Sequence, residues 1–420
     1  MTPRELVVDL FHAALAQAHG GTLTARWLAD HPLPGPVWSV AVGKAAAAMA
    51  QGAVQALDGE LGRGLLVTKH GYLPAGGCTP FAAREAGHPV PDADSLAAGA
   101  ELLRFVGEAP ASVHWLFLIS GGTSSLVEAL PGGQGLADLQ RAQRWLLGSG
   151  LDIAAVNRVR KALSLIKGGR LAARLAGGGA TVLLLSDVAG DDPAVIGSGP
   201  LFPDPGGPPE RLAIPDWLAR QVRAAPPAPA PGDPVFAGIA HVVVGSLADA
   251  CRGAADRGRE LGLTVHRGPD RLAGDAAAAG ERLARTLRDG PDGLWVWGGE
   301  TTVRLPERPG TGGRAQHLAL AAARVLEGRD DLCLLSAGTD GTDGPTPAAG
   351  AVVDAGTLAR GRGAGLDPAA CLARADSGRF LTASGDLLTT GPTGTNVNDL
   401  VIALKGPVPA VGSAPSRAAH

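Results

Sequence analysis

Apolar residues along this chain gather into short unbroken runs, each followed by a glycine-containing turn and then by a stretch rich in alanine, leucine and arginine at helical spacing. The runs lie at 37–42, 65–68, 113–119, 181–185, 241–244, 294–297 and 332–335, and they lack polar alternation. Such runs read as strands buried on both faces, and 44–57 and 246–261 read as helices that follow two of them. Strand, turn and helix in repetition predict an α/β fold with parallel sheets covered by helices.

At 420 residues the chain exceeds what one hydrophobic core serves, so two domains are expected. Prolines crowd between 203 and 234, where missing donors prevent a sustained helix or a central strand, and the boundary is placed there. The expected division is 1–235 and 236–405, with a mobile tail over 406–420. A formal net charge of -3 and a pI near 6.4 give no electrostatic footprint for nucleic acid or an anionic membrane. The first ten residues carry charge and no apolar signal core, and no long apolar span follows, so a soluble cytoplasmic protein is expected. Cys78, Cys251, Cys333 and Cys371 form no C-x-x-C pair and read as ordinary thiols. Lysines (Lys44, Lys69, Lys161, Lys167, Lys405) and asparagines (Asn157, Asn396, Asn398) are few; coding bias accounts for such depletion, and where it removed them the survivors are enriched at positions that need an ammonium or an amide.

Open α/β sheets bind ligands beyond the carboxyl ends of their strands, where the polar clusters of this sequence fall. Lys44 follows the first run at a helix start, where free N–H groups and its own charge can receive an anion, although a solvated lysine reads equally well. Ser120, Gly121, Gly122, Thr123, Ser124 and Ser125 combine converging backbone N–H groups with hydroxyls suited to phosphate or carboxylate. Asn157, Arg160, Lys161, Ser164 and Lys167 lie on neighbouring faces of one helical run continuing to Arg170. Asp187 and Asp191 follow one strand, Asp340 and Asp343 another, and packed acids of this kind suit Mg²⁺ beside a phosphate. Gly298, Gly299, Glu300 and Thr301 precede Gly310, Gly312, Gly313 and Arg314, a glycine-rich approach to a helix with a cation beside it. Thr393, Gly394, Asn396 and Asn398 complete the set. The mixture of cations, acids and glycine turns points to phosphoryl transfer.

The strings VAVGKAAAAMA, GHPVPD, LISGGTSSL, NRVRKALSLIKGGRLA, LLSDVAGDDPAVIGSGP, GGETTV, GTGGRAQHLALA, SAGTDGTDGPTPAAGA and GPTGTNVNDL, in this order, resemble the class II glycerate 2-kinase family, glycerate kinases with a MOFRL domain. The resemblance implies a Rossmann-like N-terminal domain, a C-terminal α/β domain with its MOFRL region at about 298–404, and an active site in the cleft between them. It also implies transfer of the ATP γ-phosphoryl group to D-glycerate with Mg²⁺, giving 2-phosphoglycerate and ADP in carbohydrate metabolism. Lys44 and Arg314 carry over as the catalytic pair. The Ser120 loop (Ser120, Gly121, Gly122, Ser124) with Asn157, Arg160, Lys161 and Lys167 is expected to hold substrate or phosphate. Gly298 to Thr301, Gly312, Gly313, Thr393, Gly394, Asn396 and Asn398 are expected at the nucleotide, and Asp187, Asp191, Asp340 and Asp343 at the metal. Partners are D-glycerate and ATP, with a homodimer as the assembly considered. Ala315 and His317 depart from the family's amide and acid at those positions.

Two alternatives remain. Gly310, Gly312 and Ala315 spell G-x-G-x-x-A ahead of Asp330 and Asp331, as in an NAD(P)-dependent hydroxypyruvate reductase, but Pro306 and Pro309 separate them from the preceding strand. A non-catalytic phosphosugar-binding module would use the Ser120 loop alone and leave the acids unexplained.

Overall fold

The computed structural model describes residues 1–175, 179–204, 212–268 and 271–407. The tail expected to be mobile lies, from 408 on, outside the described residues, as does 205–211 of the proline-rich stretch.

Contacts divide the chain into two compact units, one of residues 19–246 with 394–396, the other of 1–18, 247–393 and 397 onward. This differs from a linear cut at 235. Helix Pro3–Gln17, started by a capping box between Thr2 and Glu5, buries Leu6, Val7, Leu10, Phe11, Ala14 and Leu15 within the C-terminal unit, where it packs on helix Leu247–Glu260. The apolar run after the prolines pairs with the strand Ala180–Leu185, so the proline-rich stretch is an excursion before the last strand of the first unit.

The first unit has six strands: β1 (Val37–Val42), β2 (Leu61–Lys69), β3 (Phe81–Ala86), β4 (His114–Ser120), β5 (Ala180–Leu185) and β6 (Ile239–Gly245). All are parallel, in the order β3-β2-β1-β4-β5-β6. β4 and β5 are buried throughout, as their unbroken apolar runs require, and Trp38, Phe105, Trp115 and Phe117 form one aromatic cluster, Trp38 stacked on Phe105 and Trp115 edge-on to Phe105. The winding reverses between β1 and β4, and this leaves a crevice at their carboxyl ends. The register sets Val42 beside Ile119, so Gly43 and Ser120 leave the sheet side by side.

The second unit has β7 (Val265–Arg267), β8 (Gly293–Gly299), β9 (Leu332–Gly338), β10 (Gly350–Asp354), β11 (Leu387–Leu388) and β12 (Asp399–Lys405), in the order β11-β10-β9-β12-β8-β7. Here the parallel expectation is corrected. Only β7 and β8 run parallel, because residues 339–349 return the chain from β9 to β10 without a crossover helix. The reversal matters for chemistry. Asp399, at the start of β12, registers with Gly299 and Gly338 at the ends of β8 and β9, so three polar loops meet along one edge.

Candidate active site

The first unit joins two of the expected loops at its topological switch point. The Lys44 N–H donates to the Gly121 carbonyl at 3.0 Å, and the Ala45 N–H to Ser120 Oγ at 3.1 Å. Thr123 Oγ1 donates to the carbonyls of Val42 at 2.9 Å and of Ser120 at 2.7 Å. Gly43, at φ 130°, has no room for a side chain, since a Cβ there would lie 2.1 Å from Ser120 Oγ. A Cβ at Gly121 would lie 1.7 Å from Asp187 Oδ2 and 2.0 Å from Asn396 Nδ2. Those two groups hydrogen-bond to each other at 3.1 Å, Asn396 donating. Gly122, at φ 91°, faces the Lys44 Cγ and the His88 ring. Lys44, the Ser120 loop, Asp187, Asn396 and His88 thus form one constellation.

The basic segment behaves differently from a single helix face. Helix Ile153–Ala162 stops before Ser164, because Gly168 (φ 59°) and Gly169 (φ 80°) leave the helical region and donate to the Ser198 and Gly199 carbonyls. The Lys167 ammonium is buried, 2.5 Å from Glu128 Oε2 and 2.7 Å from the Ser124 carbonyl. Ser164 also donates to Glu128, at 2.5 Å. Lys161 is held by Asp204 at 3.1 Å and the Ala194 carbonyl at 3.0 Å. Arg160 is half-buried, and among the described residues it has no ion pair and its Nε no hydrogen-bond partner. Asn157, also half-buried, lies on the same helix.

Arg314 organises the edge of the second unit. Its Nε and Nη2 donate to Asp399 at 2.6 and 3.0 Å in a fork, and Nη1 donates to Glu300. Burial disfavours its charge, yet Asp399, Glu300 and Asp343 hold its pKa above the usual guanidinium range. Burial pushes the Asp399 carboxyl up against the opposing pull of Arg314. Asp343 accepts the N–H groups of Ala315 at 3.1 Å and Gln316 at 2.8 Å, so it occupies the N-terminus of helix Arg314–Leu326. Burial and the Asp399 charge raise its pKa to about 7 against those N–H groups and Arg314. The nearby glycines admit the protein's own groups. A Cβ at Gly313 would meet Asp343 Oδ1 at 2.1 Å, at Gly312 Ser377 Oγ at 2.5 Å, and at Gly299 the Leu272 carbonyl at 2.3 Å, while Gly298 lies on Leu247. Thr301 is buried. Thr393 donates to the Thr339 carbonyl, Asn398 (φ 72°) accepts from Thr339, and the Asn398 Nδ2 is buried without a partner. The Gly394 carbonyl accepts from the Gly20 N–H at 3.0 Å in the first unit.

Of the acids expected at a metal, Asp187 and Asp191 lie in the first unit and Asp340 and Asp343 in the second. Asp340 Oδ1 accepts from the Thr342 N–H at 3.0 Å, Asp343 caps a helix, and Asp191 is half-buried at φ 53°. Among the described residues, the group of three or more ligand atoms close enough for a cation is His70, Asp92 and Asp94, where Asp92 also caps helix Ala93–Gly107. His88 and Asp399 escaped the sequence reading of the site although they lie inside the strings GHPVPD and GPTGTNVNDL. Glu128 had no motif to mark it.

A parallel sheet with a cationic, glycine-rich switch point, joined in one chain to a second unit with an Arg–carboxylate edge, defines a two-unit α/β enzyme of the phosphotransferase class. Residues 6–226 match a family described as a domain of unknown function, DUF4147, and residues 293–399 match the MOFRL family. A D-glycerate 2-kinase of Thermotoga maritima is 39% identical over 378 residues, 87% of this chain and 89% of that protein. A protein of Agrobacterium vitis named a putative hydroxypyruvate reductase is 36% identical over 97% of this chain and 95% of its own length. The crystal structure of a glycerate kinase from Thermotoga maritima superposes with a TM-score of 0.81 at 36% identity, covering 96% of this chain and 99% of that one. The chain belongs to the class II glycerate kinase family. It is a kinase.

Proposed function

We propose that this kinase transfers the γ-phosphoryl group of ATP to the 2-hydroxyl of D-glycerate, yielding 2-phosphoglycerate and ADP in the cytoplasm. The observation that carries the reading is the constellation at the β1–β4 switch point, in a chain similar over most of its length to a D-glycerate 2-kinase. Phosphoryl transfer asks the protein mainly to position the reactants and to neutralise charge. Lys44 is the cation for the phosphoryl oxygens in the first unit, and Ser120, Gly121, Gly122 and Ser124 line the anion's path. Arg314 is the second cation, with its fork oriented by Asp399 and Glu300. Asp187 would hold Mg²⁺, with Asp191 as the further acid of the same unit; such an ion offsets charge on the transferred phosphate. Asn396 orients Asp187 through their hydrogen bond. Lys161 and Lys167 shape the site from within rather than touch substrate, because Asp204 and Glu128 hold their ammonium groups.

The Agrobacterium name keeps a reductase as the second reading. Against it, β8 ends at Gly299, well before Gly310, so no strand feeds the G-x-G-x-x-A glycines as a dinucleotide turn requires. Incubation with D-glycerate, ATP and Mg²⁺ should give 2-phosphoglycerate by phosphorus and proton NMR, with negligible NADH oxidation by hydroxypyruvate. Phosphorus on the 3-hydroxyl would overturn the regiochemistry, and rapid NADH oxidation would overturn the kinase.

A further inference from the structure

Beside the Ser120 loop the first unit forms a pocket, open to solvent on one side, of about 200 Å³. Its polar lining comes from His88, Ser124, Ser125, Gln143 and Arg160, and its apolar wall from Leu139, Ala142, Leu146 and Leu163. The volume is below the roughly 300–1,000 Å³ of clefts that bury drug-sized ligands and is of the size of a three-carbon acid.

The charges that face the cavity can be accounted for one by one. Glu128 and Lys167 both line it but neutralise each other in a 2.5 Å pair, and Ser164 and the Ala129 N–H complete the Glu128 shell. His88 stands at the Gly122 end, next to Lys44. Ser125 Oγ is committed to the Gly122 carbonyl at 3.0 Å, whereas Ser124 Oγ shares a 2.8 Å hydrogen bond with Ser198 and keeps capacity for another. Arg160 remains. Among the described residues its guanidinium has no carboxylate partner, and its Nε is buried without an acceptor. An unsatisfied buried donor costs about 1–3 kcal/mol, more when charged, unless a ligand supplies the acceptor. A guanidinium presents a planar fork that matches a carboxylate in two parallel hydrogen bonds.

We propose that this cavity is the receptor for the carboxylate of a small 2-hydroxy acid, with Arg160 as its counter-ion and Ser124 as a second donor. The proposal rests on the kinase reading and adds to it the basis of acid specificity. The carboxylate enters the cavity, and the 2-hydroxyl is left at the Gly122 end beside Lys44. Glycerol and glyceraldehyde, which lack the carboxylate, leave Arg160 unpaired and are rejected.

Steady-state kinetics of Arg160→Met and Arg160→Lys, with D-glycerate and ATP varied separately, test this. The Met variant should raise KM for D-glycerate on the order of 100-fold, as loss of a buried charge partner does. KM for ATP should stay unchanged, and Lys should recover part of the loss. Gln143→Phe, at a half-buried position on the cavity wall, should raise the same KM by filling the space, and it serves if Arg160→Met does not fold. A wild-type KM for glycerate in either folded variant overturns the proposal. Calorimetry with D-lactate and lactamide, with ADP present, separates this claim from the kinase reading. Lactate binding that is absent for lactamide and lost in Arg160→Met upholds the receptor even if no phosphoryl transfer occurs. Equal binding of the two compounds, or of neither, overturns it.

Discussion

Lys44 and Arg314 look equivalent as cations in a sequence, but their surroundings separate them. Lys44 sits half-buried at a helix start, so Lys44→Ala should lower kcat on the order of 10³-fold and leave the urea midpoint near wild type. Arg314 is locked between Asp399 and Glu300. Its removal leaves two acids without their partner, and Arg314→Ala should cost about 1–3 kcal/mol of stability as well as activity, a buried-pair loss reduced by its partial exposure. Kinetics paired with urea unfolding of both variants checks the contrast. Arg314→Lys should rescue poorly, because an ammonium cannot form the fork seen with Asp399.

Asp343 carries a pH prediction at the same scale. Its folded pKa, about 7, lies above the ordinary carboxylate value of 3.8, so the native state binds a proton that the unfolded chain has lost. The stability it contributes is therefore complete below about pH 4, falls as pH rises, and is gone above about pH 7. Urea midpoints measured between pH 4 and 8 should show this decline, and Asp343→Asn should flatten it. An unchanged slope in the Asn variant would show that Asp343 is ionised throughout.

At the scale of elements, the turns after β1 and β4 act as one piece. Gly43 and Gly121 are glycines because Ser120, Asp187 and Asn396 occupy the space of a side chain. Gly121→Ala should push Asp187 aside and raise the Mg²⁺ requirement while the sheet survives, which a magnesium titration of activity with a circular dichroism control would show. Retained wild-type magnesium dependence would remove Asp187 from the metal. The sequence announced these turns, since glycine and hydroxyl clusters followed each apolar run. It could not announce that the run from Asn157 to Arg170 breaks, because the break depends on the Ser198–Pro200 carbonyls that receive its N–H groups from distant sequence.

At the scale of the molecule, the first helix belongs to the far end of the chain. Pro3–Gln17 places its apolar face in the C-terminal unit, and Arg4 pairs with Asp354 at 2.5 Å and Asp386 at 2.9 Å. A chain lacking residues 1–18 should lose cooperative unfolding of the C-terminal unit first. Hydrogen exchange should show β9 and β12 deprotected while β1 and β4 stay protected, and equal loss in both sheets would refute this placement. Among the described residues no helix is long and apolar enough to cross a membrane.

Read alone, the sequence determined the class of fold and seven of the twelve strands, because burial on two faces forces unbroken apolar runs, and it marked the glycine-rich turns that follow them, because close backbone approach forces glycine. It also carried the family strings, including Lys44 and Arg314. Tertiary structure decided how those parts are used. The direction of β12 set Asp399 beside the ends of β8 and β9, and burial paired Lys167 with Glu128 and Asp343 with a helix terminus while leaving Arg160 unpaired. Pairing of charges is a property of distance in the fold, which spacing along the chain does not encode.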